Sequence, residues 1–285
     1  MKMNHRFLTF SLFITYIVAM TTLMIWQGVG IAPDRYAFVL LFASLLVKRT
    51  RSFLLDWVPF LFILLSYDFL RGFADELGQR VNYQGLINVE SGLFGTIPTI
   101  ELQKLFYNPN ILSWIDYASS ILYFLHFALP LAFGFLLWMD NRVYFRKFVI
   151  SLLLLSYGAF ITYVIFPAAP PWLASNDGYL PKVVKIMDEV LEHFPNKWDL
   201  PTVYHQFNPN PVASVPSLHA AYPLLVLLFA LKFYKSKGLI FLPYVLAIWF
   251  SLVYLGEHYI IDIIIGTAYA VLAFLLPGIN SLKKN

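Results

Sequence analysis

Runs of apolar residues, each close to the length that crosses a bilayer as an α-helix, recur along this chain and dictate its solvent. About 20 residues are needed to traverse the hydrocarbon core, and on that scale the sequence predicts about eight spans. They are Phe7–Trp26, Ile31–Val47, Phe53–Leu70, Asp116–Trp138, Tyr144–Phe166, Pro216–Phe233, Leu239–Leu255 and His258–Pro277, the second having the shortest run. A soluble core could not absorb them. Of the 285 residues 59% are hydrophobic and 13% charged, where soluble domains carry about a quarter charged. The expected fold is all-α, a polytopic transmembrane helical bundle forming one integral membrane domain over residues 1–285. Lys2 and Arg6 precede the first run as in a secretion signal. That run is long enough to span and lacks a small-residue cleavage site, so it reads as an uncleaved anchor.

Cytoplasmic loops of membrane proteins are enriched in Lys and Arg. If the eight spans alternate from a cytoplasmic N-terminus, the inside segments hold Lys2, Arg6, Lys48, Arg49, Arg51, Arg142, Arg146, Lys147, Lys232, Lys235, Lys237, Lys283 and Lys284. The remaining basic residues, Arg35, Arg71, Arg80, Lys104, Lys182, Lys185 and Lys197, are spread over longer outside loops. Both termini are therefore expected to be cytoplasmic. Trp26, Trp114, Trp172 and Trp198 fall near the predicted outer surface, where an aromatic belt belongs.

Two outside loops, Arg71 to Ile115 and Pro167 to Val215, are too long to be plain connectors. In the second, Val183, Ile186, Met187, Val190, Leu191 and Phe194 recur at helical spacing, and Ile100 to Phe106 shows a shorter version. These segments are expected to be helices, lying in the headgroup plane over a lipid entrance or packing on the protein itself. Pro167, Pro170 and Pro171 stop the fifth span, and Trp172 is placed to anchor it at the interface. There are no repeats, and no basic patch of the kind that binds nucleic acid.

With no cysteine in the chain, thiolate catalysis, disulfides and Cys-ligated zinc are excluded. Two segments carry the ionisable groups that suggest chemistry: Val215-Pro-Ser-Leu-His-Ala-Ala221 opening the sixth span and Gly256-Glu-His-Tyr-Ile-Ile-Asp262 opening the eighth. Ionisable residues in spans are costly and point to function. His258 and Asp262 are four residues apart, which on a helix puts both on one face. A carboxylate there can hold one imidazole nitrogen and leave the other free to attack, the logic of a triad with histidine as nucleophile. Both spans begin on the outer face, so His219 can join the pair. Amides around Ser217 to His219 at a helix start make an anion site. His126, deep in the fourth span, makes either an interhelical hydrogen bond or part of a substrate cavity. His193 and His205 lie in a long loop, where solvated side chains are the default.

Pro216-Ser-Leu-His219 and His258-x-x-x-Asp262 resemble the second and third motifs of the type 2 phosphatidic acid phosphatase superfamily, over about Phe160 to Pro277. The resemblance implies a helical core over 116–285, with residues 1–115 supplying N-terminal spans and an outer loop. It also implies that the His258 position attacks phosphorus, that Asp262 supports it, that His219 protonates the leaving group, and that neither metal nor other cofactor is needed. The family's second motif has glycine where Leu218 stands. Its third has an arginine where Leu252 follows Ser251, and the basic residues of its first have no counterpart upstream of Pro167. In these departures, and in Tyr67-Asp68-x-x-Arg71-Gly, the chain looks like the branch containing fungal inositol phosphorylceramide synthase and bacterial relatives.

A phosphoryl transition state still needs donors around its equatorial oxygens. Arg71, ending a span on the outer face, is the first expected replacement, alone or in an i, i+3 ion pair with Asp68. Lys182, Lys185, Arg80 and Lys104 follow it, and Ser217 is expected beside the phosphate. The reading is a transferase that moves a phospho-headgroup from a phospholipid donor to a lipid alcohol. The alternative is a lipid phosphate phosphatase using the same residues. A transporter fits less well, because its ionisable residues would gather near the midplane. No Asn-x-Ser/Thr acceptor occurs, and a bacterial plasma membrane with an outward-facing site is expected.

Overall fold

The computed structural model describes residues 50–72, 80–194, 204 and 210–279. The predicted spans Phe7–Trp26 and Ile31–Val47, together with Trp26, Trp198 and His205, lie outside the described residues. Within them the order is α1 (Thr50–Arg71), α2 (Gln84–Phe94), α3 (Pro98–Phe106), α4 (Trp114–Asp140), α5 (Arg142–Ile165), α6 (Pro171–Asn176), α7 (Ile186–Glu192), α8 (Leu218–Tyr234), a 3-10 turn (Lys235–Phe241), α9 (Leu242–Tyr254) and α10 (Ile260–Ile279). Extended backbone is confined to two isolated bridges among the described residues, Asn82 with Ala168 and Ala168 with Ala213.

Local chemistry sets the ends. Ser113 and Asp116 start α4, with Asp116 Oδ2 accepting from the Ser113 amide. Asn141 Oδ1 caps α5 by accepting from Val143 and Tyr144 at 3.0 and 3.2 Å. The stop at Pro167 does more than break a helix. Asn82 donates to the Pro167 carbonyl at 2.8 Å, Ala168 to that of Val212 at 2.8 Å and Ala169 to that of Asn82 at 3.1 Å. The proline segment thereby pins both long loops to one another.

Among the described residues five stretches are long and apolar enough to cross a membrane. One of them, Leu218–Tyr254, runs for 37 residues and is a hairpin. The chain reverses at Lys235, which takes a φ of 58°. A Cβ at Gly238 would meet backbone atoms of Ala230 and Leu231 at 2.4 and 2.5 Å. Farther along, Trp249 Nε1 donates to the Ala220 carbonyl at 3.3 Å. The descending arm combines seven 3-10 and 13 α-helical residues, about 33 Å at standard rises. That arm is the predicted span Leu239–Leu255.

The two ends of the bundle differ. At one, Asp56 of α1 accepts from Trp138 Nε1 at 2.9 Å and pairs with Arg142 and Arg146 at 3.3 and 3.6 Å. Phe53, Trp57, Phe135 and Phe145 pack beneath it. At the other end, α8 and α10 begin and α1, α5 and α9 finish, roofed by the short helices. Val183, Ile186, Met187, Val190 and Leu191 are buried, so the apolar face of α7 packs on the protein. The helix is shorter than the period suggested, because the amides of Val183 and Val184 are taken by side chains, Ser175 Oγ at 2.8 Å and Gln103 Oε1 at 2.9 Å. Gln103 of α3 receives the Val184 amide at 2.9 Å and donates to the carbonyls of Val184 and Tyr254 at 2.8 and 2.9 Å. Between lipid-facing helices packing and hydrogen bonds carry association, since hydrocarbon is as apolar as the side chains. Gly238→Ala is expected to overpack the hairpin by about 1–3 kcal/mol and lower the melting temperature of the purified protein. Gly92→Ala, with nothing within 4 Å, should leave it unchanged.

Candidate active site

Asp262 lies at the third position of α10, and its Oδ2 reaches back to the Tyr259 amide at 3.0 Å, capping its own helix. The same oxygen accepts from Ser214 Oγ and faces His258 Nδ1 at 3.3 Å. His258 therefore does not sit on the helix, as the four-residue spacing suggested. It precedes the first turn, and the carboxylate bends back to meet it. The position of His258 is fixed a second time from behind, where the amides of Glu257 and His258 both donate to the Leu252 carbonyl at 3.1 Å. Leu252, at the family's arginine position, is fully buried in an apolar cluster, and Ser251 Oγ is spent on the Ala247 carbonyl.

His219 lies in the first turn of α8. Ser217 caps that helix through the Ala220 amide at 3.3 Å and donates its own amide to the Asp262 carbonyl at 3.1 Å. Nothing larger than hydrogen fits at Gly266, where a Cβ would meet the Ser217 carbonyl oxygen at 2.4 Å. This close approach brings His219 Nδ1 to 3.0 Å from His258 Nε2. Tautomers follow from the partners. Asp262 can only accept, so His258 donates from Nδ1 and its Nε2 carries a lone pair. His219 must then donate from Nδ1. Tyr123 stacks on the His219 ring at 4.4 Å and His126 stands edge-on at 4.0 Å.

His219, His126 and Arg71 line one cavity with Tyr67, Tyr163 and Tyr222. His126 hydrogen-bonds within its own helix, to the Tyr123 carbonyl, and thus takes the second of its two expected places. Arg71 Nη2 makes the expected pair with Asp68 at 3.1 Å and also lines the cavity. The other basic candidates are elsewhere. Lys182 and Arg80 are exposed, and Lys104 pairs on the surface with Glu101 at 2.9 Å. Lys185 is buried against Asp188 and over the rings of Trp172 and Tyr204 at 4.5 and 4.7 Å. Ser217 is wholly buried, its hydroxyl committed to the helix cap. His193 is exposed. No group of three or more His, Asp or Glu suited to a metal ion occurs among the described residues.

Several supports left no mark in the sequence. Glu90 of α2 is fully buried and accepts from the amides of Ile260 and Ile261 at 3.0 and 3.2 Å, placing a carboxylate on the start of α10. Burial pushes its carboxyl above the ordinary range, and the two amides pull it back. Tyr163 Oη donates to the Pro216 carbonyl at 2.8 Å. Glu257 is buried with Tyr204 Oη on its carboxylate at 2.9 Å. Burial raises its pKa while Lys185 opposes the rise.

A family model described as the PAP2 superfamily matches residues 85–276. The chain belongs to the PAP2 superfamily. It is a membrane enzyme of that phosphotransferase and phosphatase group. It is 28% identical to the phosphoinositol dihydroceramide synthase of Bacteroides thetaiotaomicron, over 96% of this chain and 93% of that protein. It is 22% identical to the inositol phosphorylceramide synthase of Candida albicans over 99% of this chain, and 26% identical to the synthase catalytic subunit of Schizosaccharomyces pombe over 67%. The matches span 58% and 45% of those two longer fungal proteins. No solved structure gives a significant match.

Glu90 should act through α10. Glu90→Ala leaves two buried amides unpaired and is expected to cost about 2–4 kcal/mol, seen as a lowered melting temperature. Glu90→Gln should lose less, and activity in both should follow the folded fraction.

Proposed function

We propose that this enzyme moves a phosphoinositol-type headgroup from a phospholipid donor to a ceramide-class lipid alcohol through a phosphohistidine at His258. The relay Asp262–His258–His219 carries the reading, with its lone pair on His258 Nε2 and its proton on His219 Nδ1. In the first step Nε2 forms a bond to phosphorus and the phosphorus–glycerol oxygen bond breaks. His219, entering the step as the imidazolium, gives its Nδ1 proton to that oxygen and keeps its Nε2 proton, and diacylglycerol leaves. In the second step the acceptor hydroxyl attacks phosphorus, returns a proton to His219 Nδ1, and the nitrogen–phosphorus pair goes back to His258. Atoms balance with no cofactor. Asp262 holds the Nδ1 proton throughout and stabilises the charged ring. The direct His219–His258 contact is a resting arrangement that the phosphoryl group parts.

Arg71, as the cation lining the His219 cavity, is assigned to the non-bridging oxygens, with the first-turn amides of α8 as further donors. A phosphodiester headgroup carries a single negative charge, which one guanidinium and helix amides can meet. The names of the relatives support a lipid acceptor over water, and the 28% identity along nearly the whole of both chains supports carrying this over from the Bacteroides protein.

Orientation follows from charge. The end opposite the histidines holds Arg142, Arg146 and the loop with Lys235 and Lys237, which supports a cytoplasmic position for it and an outward-facing site. The cysteine-free chain is a ready background for labelling. In intact cells a membrane-impermeant maleimide is expected to label Lys182→Cys and to miss Lys237→Cys, and the reverse pattern would overturn the orientation.

Lipid mass spectrometry on membranes given phosphatidylinositol and ceramide tests the chemistry. The parent should form a new phosphoinositol lipid, and His258→Ala should lower it by at least about a thousandfold. Release of dephosphorylated lipid with no such product would point to a phosphatase instead.

A further inference from the structure

A second cavity adjoins the one that holds His219. The two share Tyr67, Phe127 and Tyr222. From that junction the second runs toward the hydrocarbon between α1 and α4, walled by Leu64, Phe127, Pro130 and Leu131, with Leu152 of α5 behind them. Its polar contribution is at one end, where Asp68 stands beside Arg71. It is a sleeve with a charged mouth and an apolar depth. It borders the cavity lined by His219 at the three shared side chains.

We infer that this sleeve holds the hydrocarbon chain of whichever lipid has its oxygen against His219: first the departing diacylglycerol, then the incoming acceptor. The inference rests on the phosphohistidine reading above. In-line displacement puts the lipid oxygen on the side of phosphorus away from His258 Nε2. That oxygen must also meet the proton on His219 Nδ1, so the leaving lipid lies on the His219 side. The incoming hydroxyl has to give its proton to the same nitrogen and attack along the same line. Both lipids therefore occupy one position in turn, and the apolar space adjoining that position is this sleeve. The headgroup stays with His258 meanwhile. The arrangement also bears on water. A filled sleeve puts a lipid hydroxyl at the mouth, and an empty one leaves the phosphohistidine to slow hydrolysis.

Narrowing the sleeve is the test. Leu64→Trp, and separately Leu152→Phe, would be compared with the parent and with Leu55→Trp, a lipid-exposed position on α1 outside the sleeve. Transfer would be measured in detergent with long- and short-chain phosphatidylinositol and with long- and short-chain ceramides. Label retained at His258 from the short-chain donor would report correct folding. Each sleeve variant is expected to lose about tenfold or more in kcat/KM for the long-chain donor and the long-chain acceptor alike, while the short-chain forms and the Leu55→Trp control stay near parent values. Loss for one lipid only means separate slots and overturns the inference. So does an equal change for long and short chains, or no change in either correctly folded variant. A parent that makes no transfer product at all overturns the transferase reading, a result distinct from a parent that transfers while its sleeve variants ignore chain length.

Discussion

Three donors from two stretches of chain converge on one carboxylate oxygen, Asp262 Oδ2: the Ser214 hydroxyl, the Tyr259 amide and the His258 imidazole. Each contact solves a different problem. The amide starts α10, the hydroxyl ties the loop before α8 to α10, and the imidazole receives a defined tautomer. In an apolar surrounding an unpaired carboxylate would be very costly, so the three cannot be adjusted independently. A change that releases Ser214 or frays α10 alters what holds His258. The backbone repeats the connection, since the Ser217 amide meets the Asp262 carbonyl and Gly266 leaves room for α10 to approach the Ser217 backbone at the start of α8.

The departures from the family's motifs have a structural counterpart. Where the third motif would carry an arginine, Leu252 is sealed in an apolar cluster and only its carbonyl serves the site, through the amides of Glu257 and His258. A guanidinium there would have to be buried among apolar side chains. The cation that lines the cavity instead comes from the end of α1. Lys185, the other buried basic side chain near the site, is committed to Asp188 and two aromatic rings, and it faces Glu257 rather than the cavity.

Much of this was legible in the sequence, for identifiable reasons. Long apolar runs have one low-energy conformation in lipid, so the spans could be read directly wherever the described residues allow comparison. His219, His258 and Asp262 stood out because ionisable groups are rare in such runs. Arg71 stood out because it ends one. What could not be read depends on contacts across long stretches of sequence. Glu90 caps a helix that starts 170 residues later, and Ser214 resembles any loop serine. Local periodicity also overstated α7 and placed His258 inside α10, since spacing alone cannot show where a cap begins. The same short-range view left open whether α7 lies on the membrane or on the protein, a matter decided by what packs against its apolar face.

The family match begins at residue 85, and Arg71 lies before it. On the proposed reading, bond exchange lies within the matched part of the chain and the guanidinium that meets the charge lies before it, the two held together by contacts such as Asn210 Nδ2 on the Arg71 carbonyl and Ser66 with Tyr157. On that reading the helix that presents the guanidinium is an attachment to the histidine relay. Exchange of that attachment would offer a route by which one hydrolytic core acquires new lipid preferences without any change at the reacting atoms.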